Sequence, residues 1–500
     1  MRLWQKKMNL AILKQLKGSK ITAEALRETI ASAIENKHLA PGEKLPSTRD
    51  MALYLGISRT TVMKSLESLI ATGHLTTSPG AGTWVRKTDR NGASDEHDSL
   101  DNQEQPTGYP WHNRFSHLAN NLHAQRIEAI ENTDFDEINY GSAPSDMLPM
   151  QAWRKSLLHW SRSAENFDFE TNSDAFGYLP LRKAIAGFLR RTKQIICKPE
   201  QIVIGSGVQS VVSPAFALLV KPDDAIVCEN PGFWGAREQF HSLGAAVIPI
   251  GIDEHGLIVD QLKEIDRPVQ WIYVEPSCQE PSGVMLSESR RVALIDWCQS
   301  NNCAILEDDW DSEFQYDGQA APPLFSLDKT GSVIYFYSFW RLLYPLISVS
   351  FLVIPEQLID TFQSYKCSWD RQFTLVEHLV LTEMLDKNII ETHMRSMWKS
   401  LRKRRQALIF ALKKQFKDDI KLASSTSGMH VVVQFKESFS EETILACAKK
   451  AGLSCATTRP YYAHSAKTNE FMLRFSHHPE DEIESRVSFL ATELARNFQS

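Results

Sequence analysis

The stretch from His38 to Val85 reads HLAPGEKLPSTRDMALYLGISRTTVMKSLESLIATGHLTTSPGAGTWV. Pro41-Gly42 breaks the chain, Pro46-Ser47 offers a helix N-cap, Gly56 stops a short helix after Leu55, and Ser58 caps the next one. In that next helix Val62, Leu66, Leu69 and Ile70 recur at helical spacing, as Leu26, Ile30, Ala33 and Ile34 do in the preceding segment Ala23 to Asn36. Three helices with a tight turn between the last two make a helix-turn-helix. His74 to Arg86 then reads as two short strands around Ser78-Pro79-Gly80-Ala81-Gly82, a wing. The expected unit over residues 1–87 is a winged helix-turn-helix.

Outward from this unit, 500 residues with 43% apolar and 23% charged content exclude a small peptide module or a disordered chain and leave room for two or three domains. No apolar run approaches the ~20 residues of a membrane span. The first twenty residues carry Arg2, Lys6, Lys7, Lys14, Lys17 and Lys20 without a hydrophobic region and cleavage site. A cytoplasmic protein with no membrane partner is expected. The eight cysteines are scattered, with neither CxxC nor zinc spacing, so no metal site is expected. The net charge of −6 hides an asymmetry, since residues 1–87 hold fourteen Lys/Arg against six Asp/Glu. The cationic end suits a polyanion, double-stranded DNA.

Residues 88–130 read as a linker, acidic and expected to be flexible at least to Gly108, with Asp89, Asp95, Glu96, Asp98, Asp101 and Glu104 against Arg90. Beyond it, over 131–500, apolar runs alternate with helical stretches: Gln201 to Ile204, Ala225 to Cys228, Ala246 to Ile250, Trp271 to Val274, Ala304 to Leu306, Val333 to Tyr337 and Val349 to Ile354. Seven such strands predict an α/β sheet covered on both faces, with its site at the strand ends. A large part is expected at about 175–360 and a small part at about 361–500.

The stretch His38–Val85 is similar, over nearly the whole module, to the DNA-binding domain of the GntR family of bacterial regulators. The resemblance implies that Ser58, Arg59, Thr60 and Thr61 enter the major groove, while Arg49, Lys64 and the wing backbone at Ala81 and Gly82 meet phosphates. The basic run Arg402, Lys403, Arg404 and Arg405 reads as a solvated helix face.

The larger region resembles the fold-type I, class I/II aminotransferases that use pyridoxal phosphate, and more narrowly the MocR-type regulators, in which such a domain follows a GntR winged helix. Its markers are INYGSAPSDMLPMQAWRKSL (138–157), FGYLPLRKAIAGFL (176–189), IVIGSGVQSVV (202–212), VCENPGFWGAREQF (227–240), VEPSCQEPSGVML (274–286), ILEDDWDSEFQYDG (305–318) and SGMHVVVQF (427–435). The resemblance implies a phosphate-binding turn at Ser206, Gly207 and Gln209, a ring-stacking Phe233 and a ring-nitrogen partner Asp308. In VIYFYSFWRLLYPLISVSFLVIP (333–355) the position of the family's Schiff-base lysine is Arg341, and no lysine occurs from Thr330 to Tyr365. A guanidinium stays protonated and delocalises the lone pair that attack on an aldehyde requires.

Neighbouring positions depart as well: Trp310 for a tyrosine, Ser348 for a phosphate-holding arginine, Trp340 for a serine and Cys278 for a histidine. The expectation is therefore a transcriptional regulator with no covalent cofactor and no enzymatic activity, a homodimer through the larger domain. Two readings of the pocket stand side by side. In one, Trp310, Trp340, Phe233 and Trp234 fill the cofactor space and Arg341 pairs with Asp308. In the other, Arg341 and Arg474, in MLRFSHH, hold a small anionic metabolite or non-covalent pyridoxal phosphate. An aminotransferase-like enzyme carrying a DNA-binding domain is the alternative from another class, and a purely structural dimer scaffold is a third.

Overall fold

The computed structural model describes residues 21–36, 38–78, 82–86, 143–163, 174–317, 321–369, 373–423 and 426–498. The expected linker, 88–130, lies outside them. Chain contacts divide the protein into two units, Met1–Trp111 and His112–Ser500.

In the first unit α1 (Ala23–Glu35), α2 (Thr48–Leu55) and α3 (Arg59–Ala71) precede a hairpin of β1 (Leu75–Ser78) and β2 (Gly82–Val85). The caps are those the sequence offers. Ser47 accepts from the Asp50 N–H, Ser58 accepts from the Thr61 N–H, and Gly56 ends α2 at φ 69°, a conformation that glycine adopts without a Cβ penalty. Leu26, Ile30, Met51, Val62, Leu66, Leu69, Leu75 and Val85 close one small core.

The second unit opens with α4 (Met150–Ser163) and α5 (Leu179–Thr192). Then follow β3 (Ile202–Gly205), α6 (Gln209–Leu219), β4 (Ala225–Asn230), α7 (Trp234–Ser242), β5 (Ala246–Asp253), β6 (Gly256–Leu257) and β7 (Trp271–Val274). The next elements are α8 (Glu288–Ser300), β8 (Ala304–Asp308), α9 (Leu324–Leu327), β9 (Val333–Ser338), α10 (Trp340–Leu343) and β10 (Ser350–Val353). Among the described residues the sheet order is β3-β10-β9-β8-β7-β4-β5-β6, with β5, β4, β7, β8 and β9 parallel and β10 antiparallel to both its neighbours. All seven expected strands are in this sheet.

Its interior strands are apolar along their length because both faces are covered, with Phe216, Phe240, Tyr273 and Phe336 packed on one side and Val227, Ile272, Leu294 and Ile305 on the other.

The part that sequence periodicity did not resolve is a second sheet. After α11 (Ile359–Trp369), α12 (Leu375–Asp386) and the long α13 (Ile389–Phe416) come β11 (Ile420–Leu422), β12 (His430–Phe435), α14 (Glu441–Lys450), β13 (Cys455–Thr457), β14 (Glu470–Arg474) and α15 (Glu480–Phe498). These four strands form an antiparallel sheet in the order β11-β12-β14-β13. The basic run on α13 is not a uniformly solvated face. Arg402 and Lys403 are exposed, but Arg404 is buried, bonded to the Ser476 carbonyl and paired with Asp146, and Arg405 lies over the Tyr316 ring at 5.2 Å beside Asp317. Among the described residues no helix is long and apolar enough to cross a membrane.

Candidate functional site

In the winged helix, Arg49, Arg59, Thr60, Lys64 and Gly82 are exposed. Arg59 is the first residue of α3, and its Nε donates to Thr48 Oγ1 at 3.3 Å, so its guanidinium stands at the helix start. Ser58 and Thr61 serve the fold as well as the surface. Ser58 Oγ caps the helix at 3.1 Å and lies 2.7 Å from Thr61 Oγ1. Ala81 lies outside the described residues. Sequence reasoning overlooked Lys44. Its ammonium sits 5.2 Å from the Trp84 ring, and its side chain covers Gly82 so closely that a Cβ there would meet Lys44 Cε at 2.7 Å. Gly82 stands at φ 123°, which side chains rarely adopt, and that angle rather than the movable Lys44 end favours glycine there.

The second unit gathers its polar residues at the C-terminal ends of the parallel strands, where open α/β sheets hold their ligands. Asp308 ends β8, Glu275 follows β7, Ser338 ends β9, and Trp340 and Arg341 open the helical turn after it. Among the described residues they line a cavity of about 280 Å³ together with Gln209, Phe233, Glu280, Trp310, Phe336 and Ser350. No lysine is among the lining residues. The aromatics therefore border the space without filling it, and Trp234 takes no part in the lining.

Arg341 does not pair with Asp308. Its Nε lies 3.0 Å from Asp311 Oδ1, both side chains are nearly or fully buried, and its guanidinium sits 4.6 Å from the centre of the Trp310 ring. Asp308 instead accepts from the Tyr273 hydroxyl through Oδ2 at 2.7 Å. Arg474, on β14, is 90% or more out of solvent and adjoins Arg341; burial and that neighbouring charge lower its pKa to about 10. Cys278 is buried against Gly428, and burial holds its thiol well above the ordinary value.

Carboxylates that sequence reasoning did not single out dominate the electrostatics. Burial pushes Glu280 up to about 8 and Glu229 up to about 8, and it holds Glu275 well above the ordinary carboxylate range with help from Asp308 and Glu229. Asp308 and Asp311 are each raised to about 6, again by burial first. The signal was present in VEPSCQEPSG, where two glutamates interrupt an apolar strand end.

Glu280 keeps a proton in the folded chain up to about pH 8 that the unfolded chain releases near its ordinary value of 4.5. Its contribution to stability is whole below about pH 4.5 and is lost as the pH rises toward 8. Glu280→Gln is therefore expected to raise stability at pH 7 by about 2 kcal/mol, the relief of roughly 1.4 kcal/mol per unit being partly offset by burying an amide. Thermal melts at pH 5 and 7.5 check this. A variant gaining equally at both would sink the explanation.

Pyridoxal phosphate, which the resemblance implies, finds parts of its site here. Gly207, at φ 87°, makes the turn after β3, and Phe233 and Asp308 border the cavity. Other parts oppose it. Gly207 faces Ser348, whose N–H donates to Glu377 Oε2 at 3.3 Å, so a carboxylate stands at the phosphate end. Ser206 is exposed, and the Gln209 side chain is within hydrogen-bond distance of Ser213 and Gln239. As a set these residues keep only part of a pyridoxal-phosphate site, with no lysine amine among the described lining residues.

Residues 136–490 match the family described as aminotransferase class I and II, and residues 22–85 match the gntR family of bacterial regulatory proteins. The chain is 28% identical to an uncharacterized HTH-type transcriptional regulator, YdeL, of Bacillus subtilis over 91% of its own length and 94% of that protein. It is 27% identical to the probable rhizopine catabolism regulatory protein MocR of Rhizobium meliloti, over 88% and 87%. Among solved structures, the kynurenine aminotransferase of Pyrococcus horikoshii shares the fold at a TM-score of 0.67 and 23% identity, over 78% of this chain and 98% of that one.

Proposed function

The chain belongs to the aminotransferase class I and II family and carries a gntR-family module ahead of that domain, and from this premise we propose that it is a DNA-binding transcriptional regulator of the MocR type. The observation that carries the reading is the contrast between its two units. The winged helix keeps its capped recognition helix with exposed Arg59 at the start, whereas the cavity of the larger unit has no lining lysine among the described residues and has Arg341 bound to Asp311.

In this reading Arg341 stands at the position of the Schiff-base lysine, and the large unit is not an enzyme. It pairs two copies of the chain and offers a cavity for an effector. A homodimer presents two winged helices to one operator, which raises the effective concentration of the second once the first is bound. Non-covalent pyridoxal phosphate and an anionic metabolite, the occupants suggested by the sequence, each bring negative charge to a cavity lined by the carboxyl groups of Glu275, Glu280 and Asp308. They are the less favoured occupants.

The test is footprinting of the full chain on fragments of its own genome. Protection of two half-sites on few fragments is expected. No sequence preference would overturn the regulator, and a single protected half-site would overturn the dimer.

A further inference from the structure

Glu275, Glu280 and Asp308 line the cavity, and none of them forms an ion pair with another described residue. Their contacts are neutral donors: the Tyr461 hydroxyl to Glu280 at 2.9 Å, the Glu280 N–H to Glu275 at 3.0 Å, and the Tyr273 hydroxyl to Asp308 at 2.7 Å. The lining cation, Arg341, is held by Asp311 and the Trp310 ring. The first two carboxyls are nearly sealed from solvent, at 1% and 3% exposure, and neither has a cation in direct ion-pair contact, although the charges of Arg341 and Arg474 act on Glu280.

We propose that this cavity binds an organic ammonium ion carried on an aromatic body, an arylalkylamine. The proposal rests on the reading of the large unit as a non-catalytic sensing domain and names the chemistry that it senses.

Three features converge on that class. Charge comes first: burial holds Glu280 and Glu275 in the protonated form, and an ammonium ion can take the place of those protons, whereas an anion cannot. The walls come second. Phe233, Trp310 and Trp340 are among the lining residues, with one face of Trp310 covered by Arg341 and one of Trp340 by Tyr344, and an aromatic lining suits a flat apolar body. Size comes third: a dry cavity of about 150 Å³ holds benzene, so 280 Å³ suits one or two fused rings with a short aminoalkyl arm.

Binding is coupled to protons. The empty cavity keeps Glu280 protonated because burial outweighs the pull of Arg341 and Tyr461, with Asp311 and Asp308 adding repulsion. An entering ammonium favours the ionised carboxylate, so a proton leaves as the amine arrives, and affinity rises with pH while the amine itself stays charged.

The experiment is titration calorimetry on the full chain with tryptamine, its carboxylate counterpart indole-3-propionate, and pyridoxal phosphate, at pH 6 and 8 in buffers of different ionisation enthalpy. Tryptamine is expected to bind about tenfold more tightly at pH 8 than at pH 6 and to release a proton, while indole-3-propionate binds weakly or not at all. Glu280→Gln, which should fold more stably than the parent, is expected to lose about tenfold in tryptamine affinity. Binding of the carboxylate or of pyridoxal phosphate without tryptamine would overturn the inference, as would an affinity indifferent to pH and to Glu280→Gln.

Two controls separate the claims. A borohydride-reducible cofactor on any lysine would overturn the non-catalytic reading itself, whereas retained operator binding with no amine binding would overturn the amine inference alone.

Discussion

Affinity of the full chain for its operator is expected to fall roughly a thousandfold between 50 and 200 mM salt, because two winged helices together displace counterions from about six phosphates. The exposed cations available for this are Arg49 and Lys64, with Arg86 at the end of the hairpin and Lys44 beside Gly82. Arg59 has a different task. Its contact with Thr48 is a single exposed hydrogen bond of 3.3 Å, readily exchanged for a base edge.

Arg59→Ala is therefore expected to cost ten- to a hundredfold on the operator, about 1–3 kcal/mol, and little on a scrambled duplex. Lys64→Ala should weaken both alike and lower the salt slope by about 2, one phosphate contact being lost in each of the two winged helices. Fluorescence anisotropy with both duplexes at 50, 100 and 200 mM potassium chloride reads all of this. Indifference to salt, or equal losses on both duplexes for Arg59→Ala, would mean that α3 does not read bases.

Replacing Lys193 by methionine is expected to destabilise the large unit by about 3–5 kcal/mol, since it strands two buried carboxylates. Lys193 Nζ lies 3.1 Å from Asp309 and 3.1 Å from Glu313, which also accept from Tyr335 at 2.5 Å and Tyr337 at 2.6 Å. Tyr337 belongs to the cavity lining, so this ion cluster sits directly behind the site. Lys193 is committed to two acids and raised above its ordinary value by them, despite the opposing effect of burial.

Asp309 shows the opposite sign from Glu280. Burial pushes it up, yet Lys193 and its hydrogen bonds hold it below the ordinary value. Its contribution is present above about pH 4 and lost as the pH falls below that. In Lys193→Met the pair loses its cation, so the damage should be greater at pH 7.5 than at pH 5, where protonation relieves it. Thermal melts at the two pH values decide. A variant melting like the parent at both would show that the cluster contributes nothing.

The winged helix was legible in the sequence because every decisive feature is local. Ser47, Gly56 and Ser58 act within four residues of their own position, and the apolar stripe of α3 is a helical repeat. The seven strands of the main sheet were legible for a related reason, since burial on both faces leaves continuous apolar runs. The smaller sheet escaped notice: β11 and β13 have three residues each, too few to display a period, and they gain stability only from pairing with β12 and β14.

For the site, the sequence by itself determined the inventory: an arginine at position 341, tryptophans at 310 and 340, and a glycine turn at Ser206-Gly207. Only the tertiary structure decided the partnerships. Asp308 and Asp311 are three residues apart, and nothing in that spacing tells which one Arg341 takes. In the folded chain Arg341 lies against Asp311, while Asp308 accepts from Tyr273 on a neighbouring strand. Likewise Glu275 and Glu280 become a charge problem only once the fold buries them at one cavity beside β7, β8 and β9, because the cost of a buried carboxyl depends on the dielectric around it, which no stretch of sequence carries.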